Sequence, residues 1–330
     1  KHPWEFKYVR RITAEQTRPH PFPTRDLPNS QANASYWFDD EKAPYNEVKR
    51  FDWYRPNIVG GKSIMWGRQS YRWSDIDFEA NAKEGIAVDW PIRYKDIAPW
   101  YSYVERFAGI SGEKLNLPQL PDSEFLPPME LNCAERVVQK AIAEKFPGRV
   151  LTIGRVANLS KAAKPQTDVG RASCQYRNLC SRGCPYGAYF STQAATLPAA
   201  MKTGRLTLRP DSIVNSIVYD EKAGKASGVK VIDSNTSQMT EYHAKIIFVC
   251  ASAISSAWIL LNSMSNRFPN GLGNDNDILG RYLMDHHFRT GASGVIEGHD
   301  DQYYFGRRAN GIYVPRYRNI GTDKRDYLRG

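Results

Sequence analysis

The sequence lacks any apolar run long enough to cross a membrane. A spanning helix needs about 18–20 consecutive apolar residues, and the best candidate, the uncharged stretch 246–266, contains five serines and two asparagines. The sequence also lacks a run of five lysines or arginines, because acidic and basic residues alternate along it. The net charge of +10 therefore predicts a solvated surface. We expect neither a transmembrane segment nor a nucleic-acid partner.

Cysteine is scarce and unevenly placed. The chain has five cysteines, an odd number, and three of them fall within eleven residues, which argues against a simple disulfide framework. At 330 residues and 41% apolar content, the chain is long enough for two domains, or one large domain with insertions, and can bury a core. Disorder and fibrous repeats are therefore excluded.

Hydrophobic spacing predicts two helices in the first half of the chain. Asp96 is placed to cap a helix that ends at Gly109, and its apolar face would comprise Ile97, Tyr101, Val104 and Phe107. A second amphipathic helix is predicted from Glu130 to Phe146.

Alternating residues predict strands in the second half. The segment 206–220 is typical of two short strands around Pro210-Asp211, and Gly228–Ile232 of a third. A buried strand is predicted at Lys245–Cys250, followed by small residues and an apolar helix that ends at Ser263. Small residues at such a junction let a ligand approach the backbone closely. The tail from 294 onward alternates as an exposed antiparallel sheet would.

Three cysteines, Cys174, Cys180 and Cys184, have the spacing C-x5-C-x3-C and are followed by Pro185. Glycines at 183 and 187 would let residues 174–187, the cysteine loop, wrap around an ion. The paired C-x2-C knuckles that zinc prefers are absent, and a closing Cys-Pro is also found in ferredoxin-type iron–sulfur runs. A disulfide between two of the three, or three reduced thiols without a ligand, remain open. Cys133 and Cys250 are interpreted as unliganded thiols, Cys250 as a small buried apolar residue.

Several segments together resemble the glucose-methanol-choline (GMC) oxidoreductases, flavin enzymes that oxidise alcohols and sugars. The matching segments occur in the family's order and are residues 59–67, 90–101, 206–218, 246–263 and 278–287. The cysteine loop is similar to the region of sugar-oxidising dehydrogenase members that holds a three-iron cluster beside the flavin. The resemblance implies two cofactors, FAD and a 3Fe-4S cluster.

The resemblance implies a mixed α/β fold, in which an FAD-binding Rossmann-like domain, incomplete here, is joined to a substrate domain built on an antiparallel sheet. The implied segments are 1–57, an extended covering segment; 58–110, FAD-binding; 111–204, an insertion with the cysteine loop; 205–265, FAD-binding strands and helix; and 266–330, the truncated start of the substrate domain.

The resemblance also implies cofactor-binding residues. Those beside the isoalloxazine and pyrophosphate belong to residues 59–67, the glycine loop, and are Gly60, Gly61, Ser63, Met65, Trp66 and Gly67. Val214 matches the strand residue that meets the adenine, Ala251 and Ser252 match the strand end beneath the ribose and phosphate, and Asp285 and His286 match a pair near the flavin. The implied cluster ligands are Cys174, Cys180 and Cys184.

Two departures from the family pattern limit the prediction. No G-x-G-x-x-G occurs in the sequence, so the usual dinucleotide fingerprint is missing. The family's catalytic histidine, with its histidine or asparagine partner, lies beyond the segment that this chain matches. His286 and His287 belong to a different place in the pattern, so we expect no catalytic residue within this chain, which we interpret as a fragment.

The sequence therefore predicts an FAD-dependent dehydrogenase that oxidises a CH–OH group of a sugar or polyol. Electrons would leave through the iron–sulfur cluster to an external acceptor, such as a cytochrome or small subunit. The alternative is a non-catalytic electron-transfer or metal-stabilised binding module without flavin, and a homologue that has lost activity is a third hypothesis. A periplasmic location is expected, with the cytoplasm as the alternative.

Overall fold

The structure is a computed structural model that describes residues 36–39, 41–42, 44–49, 51, 53–177, 180, 183–284, 291–299 and 309–327. Its contacts divide the chain into two units. Unit 1 comprises Lys1–Leu206 together with Val295–Gly330, and unit 2 comprises Thr207–Gly294. The predicted division into five segments stays a prediction.

Among the described residues of unit 1, most of the regular secondary structure is helical. Its helices are a 3₁₀ helix at Gly61–Ile64, α1 at Asp75–Phe78, α2 at Ala80–Glu84, α3 at Tyr94–Ala108, α4 at Cys133–Lys145, α5 at Lys164–Thr167 and α6 at Thr196–Lys202. Both predicted helices of the first half are present, as α3 and α4.

Helix α3 ends where the sequence predicts but begins earlier: its cap is Arg93, not Asp96, and Asp96 is the third residue of the helix. The Asp96 carboxylate accepts a hydrogen bond from the Arg93 N–H at 2.8 Å, which satisfies one of the free donors at the helix start. Gly109 ends the helix with a φ of 75°, a left-handed conformation that favours glycine. One residue of the predicted apolar face is wrong: Val104 is exposed.

Helix α4 begins three residues later than predicted because Asn132 caps it. The Asn132 side chain accepts the Glu135 N–H at 2.8 Å, and the Glu135 carboxylate accepts the Asn132 N–H at 2.8 Å. This reciprocal pair is a capping box. Cys133, the first residue of the helix, is an exposed free thiol.

Short strands join distant segments of unit 1. Strand β1 at Ile110–Ser111 pairs in parallel with β2 at Phe125–Leu126, and β3 at Thr152–Ile153 pairs antiparallel with β7 at Ile312–Tyr313. A buried cluster of Ala108, Ile110 and Ala157 lies beside these strands and packs against Trp66, Phe125 and Phe190. The core of unit 1 therefore directly supports the glycine loop, through Trp66.

Unit 2 is a three-stranded antiparallel sheet with one helix. Its strands are β4 at Ser212–Asp220, β5 at Lys225–Asp233 and β6 at Met239–His243, in that order in the sheet. Helix α7 at Ala253–Leu261 is followed by Ser263, whose hydroxyl accepts the Ile217 N–H of β4 at 2.7 Å. Of the two strands predicted in 206–220 only the second forms; residues 206–210 form no strand, and Asp211, with a φ of 54°, interrupts the extended backbone where the turn was predicted.

Two strand predictions are wrong. Lys245–Cys250 is not a strand and is not buried: Ile246 is 71% and Phe248 82% exposed, and Cys250 is exposed. Within the described residues the segment has no neighbouring strand to satisfy its backbone groups, and a strand forms only against such a neighbour. The described part of the tail likewise contains a single short strand, β7, instead of a sheet.

The predicted mixed α/β composition is confirmed, whereas the Rossmann-like arrangement stays a prediction. Among the described residues, every helix is too short or too polar to cross a bilayer.

Candidate functional site

The glycine loop forms a tight turn followed by the 3₁₀ helix. Gly60 has a φ of 97°, and Ser63 closes the turn: its hydroxyl donates to the Gly60 carbonyl at 2.6 Å and accepts the Thr192 N–H at 3.0 Å. A β-carbon at Gly60 would lie 2.9 Å from the side chain of Gln193. The positive φ and this close approach both favour glycine. The turn therefore packs closely against the segment that follows the cysteine loop.

A cavity of about 690 Å³ in unit 1 is lined by both loops. The glycine loop contributes Ile64, Met65, Trp66 and Gly67, and the cysteine loop contributes Cys180, Gly183, Cys184, Pro185 and Gly187. The volume lies within the range of roughly 300–1,000 Å³ typical of cofactor and ligand sites. Three predicted flavin-contacting residues and two predicted metal ligands thus face one cavity. Gly60 lies against Gln193, which also lines the cavity, and Ser63 binds Thr192, the residue between the lining residues Ser191 and Gln193.

Two tryptophans of this cavity have buried hydrogen-bond donors. Trp37 and Trp66 line the cavity, and the indole Nε1–H of each finds no acceptor among the described residues. A buried donor left unpaired costs about 1–3 kcal/mol. A bound molecule with carbonyl or hydroxyl oxygens would satisfy these donors. The glycine turn, the cavity and the two indoles therefore fit a flat cofactor that has ring carbonyl groups, as FAD has.

Arg68 connects the two loops and was not predicted from the sequence. Its guanidinium donates from Nε to the Phe190 carbonyl at 2.7 Å, from Nη2 to the Ile64 carbonyl at 3.0 Å, and from Nη1 to the Trp66 carbonyl. It also lies 3.9 Å from the centre of the Tyr189 ring. Burial lowers the pKa of Arg68, and nearby Tyr189 opposes that lowering. Arg68 therefore fixes the glycine loop to the residues after the cysteine loop.

Arg171 binds the two ends of the cysteine loop to the core. Its Nε donates to the Gly187 carbonyl at 2.8 Å, Nη1 to the Ala108 carbonyl at 2.7 Å and Nη2 to the Ala188 carbonyl at 3.2 Å. Burial lowers the pKa of Arg171 to about 10, and the Cys184 sulfur opposes that lowering. Arg171 is a second buried cation that sequence analysis missed.

The cysteine loop surrounds a small cavity of about 30 Å³ lined by Cys174, Cys180 and Cys184. Asn158 also lines it, and this side chain is 1% exposed with an Oδ1 that accepts no hydrogen bond from the part of the chain that the structure describes. The loop is anchored at its start, where the Cys174 N–H donates to the Leu159 carbonyl at 2.7 Å. All three cysteines are free thiols, so two of them are not joined in a disulfide.

The three cysteines are of the type that a thiolate-ligated metal centre needs, but the described residues do not place them as its ligands. Burial, together with the neighbouring Cys174 and Cys184, raises the pKa of the Cys180 thiol to about 11, so the three sulfurs interact with one another. Within the described residues, however, no three cysteine, histidine or carboxylate side chains stand close enough to bind one ion. Residues 178, 179, 181 and 182 of the loop lie outside the described residues. The three sulfurs are therefore gathered around one cavity but not placed as a finished ligand set.

The other predicted cofactor-binding residues belong to unit 2. Val214 is in β4 of unit 2, paired with Val231 of β5 beside a bulge. Ala251 and Ser252 precede α7, and Ser252 has a φ of 71°. Asp285 and His286 lie outside the described residues, as does His287.

No pattern in the sequence predicts that Arg68 and Arg171 are buried. The chain has 45 lysines and arginines, and neither position belongs to a periodic pattern that marks a buried face. Only the position of Arg68, directly after the glycine loop, offered a hint of its place in the site.

The GMC oxidoreductase family model matches residues 42–288. Three relatives are similar over most of this chain. The 2-methyl-1,2-propanediol dehydrogenase of Mycolicibacterium austroafricanum is 31% identical over 82% of this chain and 48% of the relative. The 6'''-hydroxyparomomycin C oxidase of Streptomyces lividus is 28% identical over 70% of this chain and 42% of the relative. The fructose dehydrogenase large subunit of Gluconobacter japonicus is 25% identical over 69% of this chain and 41% of the relative.

The chain spans less than half the length of each of these relatives. The family match covers the glycine loop, the cysteine loop and unit 2 as far as residue 288. The chain belongs to the GMC oxidoreductase family, and the predicted family resemblance is confirmed.

Proposed function

We propose that this chain forms part of an FAD-dependent dehydrogenase that oxidises a CH–OH group of a sugar or polyol. The observation that carries the proposal is the single cavity lined by Met65, Trp66 and Gly67 on one side and by Cys180 and Cys184 on the other. A flavin in this cavity would lie next to the thiols. When bound, FAD supplies the hydride-accepting ring.

The residues of the chain would bind and orient that ring. Gly60 lets the backbone of the glycine loop pack closely against Gln193, which lines the cavity, because a β-carbon at Gly60 would meet that side chain. The indole Nε1–H groups of Trp37 and Trp66 would donate to oxygens of the bound cofactor or substrate. Tyr36 and Trp37, which also line the cavity, would help to exclude water from it. No residue of this chain is assigned the removal of the hydroxyl proton.

The relatives support the substrate class. Their names specify a propanediol, hydroxyparomomycin C and fructose, so we propose a polyhydroxylated substrate. One of them is named a large subunit, which supports a further subunit, such as a cytochrome, as the electron acceptor.

We also propose that the cysteine loop holds an iron–sulfur centre, of the 3Fe-4S type, through Cys174, Cys180 and Cys184. The proposal is supported by the small cavity that all three thiols line. Two of these thiols, Cys180 and Cys184, also line the larger cavity. Such a centre would carry electrons from the flavin side to an acceptor.

The flavin proposal is tested on the intact gene product. Its visible spectrum should show the two flavin bands, and anaerobic addition of sugars or polyols should bleach them, with recovery on addition of a dye acceptor. Gly60→Ala should lower the bound FAD at least tenfold, whereas Gly204→Ala, a glycine with positive φ and open space around it, should leave it unchanged. A colourless protein, or flavin that no polyol reduces, would overturn the assignment.

The cluster proposal has its own measurement. Iron and acid-labile sulfide should be present in the intact protein, and Cys180→Ser should remove them while FAD stays bound. Flavin without iron in the purified wild type would reject the cluster and leave the flavin proposal intact.

A further inference from the structure

Arg68 is a buried cation that forms no ion pair with a carboxylate of the described residues. Its side chain is 4% exposed, and it donates hydrogen bonds to three backbone carbonyls, which carry no net charge. Arg72 and Arg155, which are also buried, instead pair with the carboxylates of Glu105 and Asp122. A buried charge without an opposite charge is costly. A negative or acceptor-rich group beside Arg68 would offset that cost.

The place where such a group could bind is the large cavity of unit 1, because Arg68 lines it. The guanidinium carbon of Arg68 lies 3.9 Å from the centre of the Tyr189 ring and 5.9 Å from that of Trp66, and both rings line the cavity as well. The Trp66 indole Nε1–H finds no acceptor among the described residues. A positive charge and an unsatisfied donor are therefore neighbours in this part of the wall.

The rest of the described wall does not neutralise this charge. Among the lining residues that the structure describes, Arg68 is the one that carries a formal charge at neutral pH. The other polar side chains there, such as Ser191 and Gln193, are neutral. A charge acts more strongly in a cavity from which water is excluded than in bulk water. The described wall therefore favours a ligand that presents negative charge or hydrogen-bond acceptors to Arg68.

The pyrimidine ring of a flavin meets this requirement better than a polyol does. Hydroxyl groups donate as well as accept hydrogen bonds, whereas the two carbonyl oxygens of the pyrimidine ring only accept, and negative charge on the flavin collects on that ring. We propose that Arg68 is a cofactor-binding residue that faces the pyrimidine edge of the flavin and stabilises negative charge on it. This inference rests on the FAD part of the proposed function.

The test is a titration of the FAD-loaded intact gene product with sulfite, followed by bleaching of the blue flavin band. The sulfur lone pair forms a bond to flavin N5, and the ring takes up that electron pair as negative charge on its pyrimidine side, where a nearby protein charge acts on it. Wild type should bind sulfite about tenfold or more tightly than free FAD does, and Arg68→Gln should weaken binding by about tenfold or more.

Two further variants separate charge from structure. Arg68→Lys keeps the positive charge and should change the Kd for sulfite by less than about threefold. Arg106→Gln removes the same charge from a side chain of unit 1 that is 58% exposed, and it should leave the Kd unchanged because water screens an exposed charge.

The outcomes distinguish this inference from the proposal on which it rests. A wild-type protein without FAD rejects the flavin proposal and the inference together. A wild-type protein that holds FAD but binds sulfite no more tightly than free FAD overturns the inference alone, as does a folded Arg68→Gln variant with the wild-type Kd. If the glutamine variant fails to fold or to hold FAD, Arg68→Lys decides. Wild-type affinity in that variant supports the inference, and a tenfold loss overturns it because the charge is still present.

Discussion

Arg72 and Glu105 form a two-point ion pair inside unit 1. Arg72 Nε lies 2.9 Å from Oε1 of Glu105, Nη2 lies 2.5 Å from Oε2, and the two side chains are 6% and 10% exposed. Arg72 also donates to the Tyr94 and Ser102 hydroxyls, and the Glu124 N–H donates to Glu105 at 3.0 Å. The pair therefore joins the chain just after the glycine loop to α3.

Removal of one partner of this pair should be strongly destabilising. Glu105→Ala leaves the Arg72 guanidinium buried and unpaired, so we expect a loss of about 3–5 kcal/mol in the free energy of unfolding, measured by urea titration. Asp168→Ala breaks an exposed pair with Lys164 and should cost less than about 1 kcal/mol. Equal losses in the two variants would contradict the assigned role of burial.

The same pair makes stability depend on acid pH. Burial alone would raise the pKa of Glu105, but hydrogen bonds from Arg72 and the Glu124 N–H outweigh it and hold the pKa below the usual 4.5. The unfolded state then binds the proton at higher pH, so the stabilisation is complete above the unfolded pKa and lost as pH falls through the folded one. The difference in unfolding free energy between wild type and Glu105→Gln should be largest at pH 7 and shrink below pH 4.5. A difference that is constant from pH 7 to pH 3 would contradict this prediction.

Gly109→Ala should be far more harmful than the same change at an open glycine. A β-carbon at Gly109 would lie 2.2 Å from Cδ2 of Leu159, which is fully buried. Gly148 has a similar positive φ but nothing near it, so Gly148→Ala should cost only the backbone strain of about 1–2 kcal/mol. The clash at Gly109 should add roughly 1–3 kcal/mol. Thermal melts of the two variants compare them directly, and similar midpoints would be the contrary result.

The start of α4 depends on one side chain. Asn132→Ala removes the acceptor for the Glu135 N–H and should cost about 1 kcal/mol of stability, whereas Asn132→Asp keeps an acceptor and should be nearly neutral. Urea titrations of both variants measure the difference. A loss in the aspartate variant as large as in the alanine variant would show that the cap does not act through this bond.

Local signals predicted α3 and α4, because caps and stop signals lie within a few residues of the elements they define. Gly109 ends α3 as predicted, whereas the exact starts of α3 and α4 required Arg93 and Asn132 to be recognised as the caps. The prediction of a strand at Lys245–Cys250 was wrong because a strand needs a neighbouring strand. Apolar residues such as Ile246 and Phe248 do not indicate whether such a neighbour is present.

The sequence indicated the two loops of the candidate site but not that they line one cavity. Glycines and cysteines are recognisable by type and spacing, so the two loops could be identified separately. Their meeting at one cavity depends on long-range contacts, such as the hydrogen bond from Arg68 to Phe190, 122 positions apart in the chain. Whether an arginine is buried also depends on such contacts, so Arg68 and Arg171 could not be predicted.

The hydrogen bonds of Arg68 couple the local unfolding of the glycine loop to that of the residues after the cysteine loop. Because one guanidinium holds carbonyls of Ile64, Trp66 and Phe190 together, neither segment can come loose without breaking contacts to the other. Local unfolding occurs in cooperative groups of residues. The amides of residues 64–66 and 188–190 should therefore exchange with deuterium as a single group, at one common opening free energy.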